Sequence, residues 1–106
     1  MKHFVLVDQM NKELNYNAKT ILFDWAIKNL YLTLAEPNLS ISQMIEYLNT
    51  KYVVRMEQWN DEFKHWRVGL DWLDEDKYVY IVEKPELCDA LWEAVKYVIK
   101  RKGVNL

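Results

Sequence analysis

Apolar and polar positions change period several times along the chain, and each change marks an element. Residues 3–7 (His3, Phe4, Val5, Leu6, Val7) form a short apolar run suited to a buried strand. Residues 8–16 are polar without a clear period and read as a connector. From Asn17, a residue able to cap a helix, Ala18, Ile21, Leu22, Trp25, Ala26, Leu30 and Leu34 recur at helical spacing. The polar stripe is narrow (Thr20, Asp24, Lys28), with Asp24 and Lys28 in favourable i,i+4 order. So apolar a helix is expected to be buried over most of its circumference and to form the centre of the core. Glu36-Pro37 ends it, because a residue before proline avoids the α region.

A second helix announces itself by its first turn. Ser40-Ile41-Ser42-Gln43 fits a capping box, and Leu39 and Met44 stand where a hydrophobic staple requires them. Ile41, Met44, Ile45 and Leu48 give one apolar face, ending near Asn49-Thr50.

The pattern then shortens to period two. Trp66, Val68, Leu70 and Trp72 alternate with His65, Arg67, Gly69 and Asp71, as in a half-buried strand. Tyr78-Val79-Tyr80-Ile81-Val82 is β-branched and aromatic throughout, and Tyr52-Val53-Val54 is also β-prone. Asn60-Asp61-Glu62 and Asp74-Glu75-Asp76-Lys77 supply turns, so residues 52–83 predict a three-stranded meander. A rival pattern exists: Tyr52, Met56, Trp59, Phe63 and Trp66 also fit helical spacing over residues 51–66. The β-prone start and the Asn60-Asp61 break favour the strand.

The last helix opens on Pro85, carries Glu86 and Asp89 at the positive end of its dipole, and buries Leu87, Leu91, Ala94, Val95 and Val98. Lys100, Arg101 and Lys102 fill its last turn, and Gly103 is the expected C-cap. The predicted order is β-α-α-β-β-β-α. This is an α+β class: a short antiparallel meander, with an N-terminal strand as a candidate further member, packed against three helices. The alternative, with residues 51–66 helical, is a winged-helix arrangement.

Composition narrows the possibilities. At 106 residues, 51% hydrophobic and 28% charged, the chain has the size and balance of one globular domain. No run reaches the roughly 18 apolar residues of a membrane span, and the N-terminal run is too short and too soon acidic for a signal peptide. A single cysteine, Cys88, excludes an internal disulfide and a cysteine-based zinc cage, and points to a reducing cytoplasm. The bias toward Lys, Asn and Tyr over Arg, Gly, Pro and Ala suggests an AT-rich genome, such as that of a low-GC bacterium, its phages or mobile elements.

Charge argues against nucleic acid. The chain carries 14 basic and 16 acidic residues, so no global field attracts phosphates. Only Lys96, Lys100, Arg101 and Lys102 form a local basic patch. A recognition helix at 51–66 would mix Lys51, Arg55, Lys64 and Arg67 with Glu57, Asp61 and Glu62, and its wing would end in Asp74-Glu75-Asp76.

Catalytic groups are scarce. His3 and His65 are the only histidines, and neither lies in a nucleophile motif. Cys88 falls in the first turn of the last helix, where a dipole lowers a thiol pKa, but also where a small apolar core residue fits. Glu62 and His65 have the Glu-x-x-His spacing of di-iron bundles without the second copy that chemistry needs. Asp71, Asp74, Glu75 and Asp76 lack the central glycine and final glutamate of a calcium loop. Two glycines, Gly69 and Gly103, cannot build a phosphate-binding loop. No catalytic residue, metal or cofactor is expected.

The aromatics remain. Trp59, Phe63, Trp66, Trp72, Tyr78 and Tyr80 crowd into the meander among its acids. Trp66 and Trp72 suit the core. Trp59, with Asp71, Asp74, Glu75 and Asp76, suits an interaction surface on the sheet and its turns, because aromatic anchors and steering charges are what a protein partner, a basic one here, would read. The expected function is thus a small non-catalytic interaction protein or inhibitor.

Overall fold

Local chemistry accounts for the best-formed helix start. The Ser40 hydroxyl accepts from the Gln43 N–H at 3.2 Å while the Gln43 side chain accepts from the Ser40 N–H at 2.8 Å. Two helix-start donors are satisfied, and Leu39 and Met44 on either side are both buried. The computed structural model describes residues 2–30, 38–50, 52–59, 65–72 and 78–104. Within them the order is β1 (Phe4–Val5), α1 (Val7–Glu13), α2 (Tyr16–Leu30), β2 (Leu39–Ser40), α3 (Ile41–Leu48), β3 (Tyr52–Trp59), β4 (His65–Trp72), β5 (Tyr78–Lys84) and α4 (Leu87–Val104). The predicted stop at Glu36-Pro37 and both predicted turns of the meander lie outside the described residues.

The α+β class holds, and the meander is real: β3, β4 and β5 form an antiparallel sheet in that order. Tyr52 pairs with Trp72 and Trp59 with His65, so the whole of β3 is in register with the whole of β4. That excludes the helix at 51–66, and with it the winged-helix alternative. The β-prone start at Tyr52-Val53-Val54 prevails over the helical spacing, and on the helix-facing side of β4 Val68 and Leu70 are fully buried. Trp66, on the same face, is half-buried rather than enclosed.

Four details depart from expectation. Residues 7–13, within the span read as strand and connector, form α1, a helix with no side-chain N-cap whose buried anchors are Met10 and, just past its end, Leu14. The N-terminal strand shrinks to Phe4–Val5 and pairs with β2, not with the meander. α2 starts at Tyr16 and is capped by Asn15, whose Oδ1 accepts from the Ala18 N–H at 2.8 Å, so Asn17 is not the cap. Gly103 does not cap α4, which continues through it to Val104.

The centre of the core is also not α2. α2 buries Ala18, Leu22 and Ala26, one line at i, i+4, i+8, but leaves Ile27 exposed. α4 takes the central place, with Cys88, Ala90, Leu91, Trp92, Ala94, Val95 and Ile99 all essentially inaccessible. It packs against β4, β5, α3, α2 and β1. The difference lies in how much of the circumference is apolar and covered: α4 buries Cys88, Leu91, Trp92, Val95 and Ile99 on more than one side, whereas the buried positions of α2 fall on one line.

Candidate functional site

One face of the β3-β4-β5 sheet lies against α4; the other is open at Val53, Arg55, Glu57, Ile81 and Glu83 but closed over Gly69 and Asp71. Cross-strand register builds the open face in rows: Arg55, Gly69 and Ile81 form one, and Glu57, Arg67 and Glu83 the next. Val53 and Asp71 are paired on the far side of the first row, Trp59 and His65 beyond the second. Val53 is 41% and Ile81 46% exposed, large fractions for β-branched side chains. Gly69, in the middle of the central strand, has no side chain to compete for the space opposite Arg55 and Ile81.

Two charge clusters on this face are paired within it. Arg67 donates from Nε to Glu83 at 2.9 Å and approaches the same oxygen with Nη2 at 2.7 Å. The other Glu83 oxygen lies 3.4 Å from His65 Nε2. Arg55 Nε reaches Asp71 Oδ2 at 2.6 Å. The Arg67–Glu83 pair, in solvent on both sides, contributes at most about 1 kcal/mol, so it orders the face rather than holds the fold.

Asp71 is different. It is only 2% exposed, the one buried charged side chain among the described residues, and its Oδ1 has no hydrogen-bond partner there. The sequence placed it with the solvent-facing acids near a turn, and the structure corrects this. Asp71 lies within β4, and the exposed half of its ion pair is Arg55. Trp59 closes β3 opposite His65, though its side chain lies outside the described residues, as do Asp74, Glu75 and Asp76 entirely.

Other chemistry is sparse. Cys88 is fully buried, and burial pushes its thiol up from the ordinary value, the direction of an inert core residue. No group of three or more potential metal ligands occurs among the described residues. Of the expected basic patch, Lys96 is held by Glu13 and Glu93 and lies 5.9 Å from the Trp92 ring centroid. Burial lowers its pKa, but the two glutamates more than offset that, and the net direction is upward. Arg101 hydrogen-bonds the Tyr97 hydroxyl at 2.9 Å. A shallow cleft of about 520 Å³ opens beside β1, lined by Lys2, His3, Phe4, Leu6, Asp8, Gln9 and Lys12. Lys2 is engaged there by Asp89 and Gln9, and the lining has no hydroxyl or thiol nucleophile.

No helix among the described residues is long and apolar enough to cross a membrane. No protein-family model matches the chain, and neither a curated protein nor a solved structure matches it.

Proposed function

We propose that this is a small non-catalytic interaction protein, an inhibitor in kind, that covers a protein partner's surface with the open face of its three-stranded sheet. The observation that carries the proposal is the pair of exposed apolar side chains, Val53 and Ile81, set in a frame of ordered charges on a rigid sheet. Apolar anchors supply affinity when desolvated, and fixed charges around them supply orientation. Trp59 and the acids Asp74, Glu75 and Asp76 keep the contact roles that the sequence suggests for them. The contact role of Asp71 passes to Arg55, which is half in solvent.

Nucleic acid is not the expected partner, since the described acids of the sheet alternate with its bases. The experiment is affinity capture from a lysate of the source cell with wild type, Ile81→Lys and Thr20→Lys, the last on the exposed side of α2. The expected result is a protein retained by wild type and Thr20→Lys but lost with Ile81→Lys, a loss of about 2 kcal/mol in binding. Equal retention by all three, or tight sequence-selective binding of duplex DNA, would overturn the proposal.

A further inference from the structure

The open face uses side chains; the edge of the same sheet offers backbone. β3 is an edge strand of eight residues without proline, and residues 55–58 are all exposed. An edge strand of that length is a template for another strand. The opposite edge is less open. On β5 the Tyr97 hydroxyl donates to the Val79 carbonyl at 3.3 Å, and Tyr80 stacks on Tyr97 at 4.2 Å. α4 therefore reaches over that side.

The sequence of β3 is complementary to itself. In an antiparallel pair, opposite residues share a face, so two copies of β3 related by a two-fold axis pair residues whose numbers differ by an even count. Centring the axis on Arg55 or Glu57 sets like charges against each other. Centring it on Met56 sets Arg55 opposite Glu57 of the second copy, and does so twice. It also brings together two Met56 side chains, each 41% exposed on the helix-facing side where the layer of helices does not cover them. Val54 then stands opposite Gln58 of the second copy.

We propose that this chain forms a symmetric homodimer through antiparallel pairing of β3 with β3 about Met56, giving a continuous six-stranded sheet. The dimer does not rest on the partner-binding role of the open face: backbone at the strand edge makes the contact, and Arg55 and Glu57 set its register. A head-to-tail contact between β3 and β5 would propagate without closing. The β3 pairing closes on itself.

Sedimentation of the full chain over a concentration series tests this. The expected species has twice the 12.9 kDa chain mass. Glu57→Arg places a second cation opposite Arg55 at both symmetric positions and weakens the dimer by about tenfold or more. Met56→Cys, oxidised with diamide, gives a covalent dimer, whereas Glu46→Cys on the exposed side of α3 does not. Cys88 is buried and takes no part. A monomer at every soluble concentration overturns the proposal. So does a dimer that resists Glu57→Arg or that fails to cross-link through position 56.

Discussion

The ion pair of Arg55 and Asp71 is unequal: the cation is 45% exposed and the carboxylate 3%. Removing the two partners therefore has different consequences. Arg55→Ala leaves a buried carboxylate with neither oxygen compensated, while Asp71→Ala leaves a cation that water can solvate. We expect Arg55→Ala to cost about 2–4 kcal/mol and Asp71→Ala about 1 kcal/mol or less, both read from urea unfolding midpoints at constant slope. Equal costs would mean that the pair is held mainly by packing. Tyr47 gives a second test at this scale. It is buried, 4.9 Å from Trp25 in an edge-to-face contact, and burial pushes its hydroxyl from 10.0 up to about 12. The unfolded chain loses that proton first. Stability is thus fully present below pH 10 and falls as pH rises toward 12, by up to about 2–3 kcal/mol. Tyr47→Phe should flatten this part of the alkaline unfolding curve. The burial of Asp71 was not legible in the sequence, where it alternates with Trp72 and Leu70 as part of a polar face shared with His65, Arg67 and Gly69. Its ion-pair partner stands on the neighbouring strand β3, and no local pattern reports that.

Elements were legible where their signal was local. The capping box is written in four adjacent residues and forms as expected. Ser40→Ala removes the Gln43 N–H acceptor and should lower stability by about 1 kcal/mol in thermal or urea unfolding. A change no larger than a few tenths would show that the staple of Leu39 and Met44 holds the helix start alone. The meander was legible because alternation in β4 runs over its full eight residues. α1 was not, since seven residues with Met10 and Leu14 as anchors offer too few turns for a period to show. The central place of α4 was obscured for another reason. Its mean hydropathy is diluted by Lys96, Lys100 and Arg101, whereas α2 looks more apolar and is less buried. The candidate surface was legible only in its location: the sheet was identified, but Val53, Arg55 and Ile81 emerged from register, which the sequence does not print.

At the scale of the whole molecule, contacts divide by how far apart they lie along the chain. The meander closes short loops, with Arg67 and Glu83 only 16 positions apart. The N-terminal segment through α1 is tied by long ones. Lys2 pairs with Asp89 at 2.7 Å across 87 positions, Glu13 with Lys96 across 83, and β1 with the two residues of β2. Closing a long loop costs more chain entropy than closing a short one, and a two-residue ladder gives little in return. The hairpins are thus expected to assemble early and the β1–β2 clasp last, and the clasp should also open first. In native-state hydrogen exchange, the Val5 amide should be labelled well before those of Val68 and Leu70, whereas uniform protection across both sheets would argue for a single cooperative unit. This uneven order has a practical consequence. Transient release of the clasp lays bare Val5, Leu39 and the side of α4 that β1 packs against while the meander stays folded, so breathing of the clasp need not disturb the surface of the sheet.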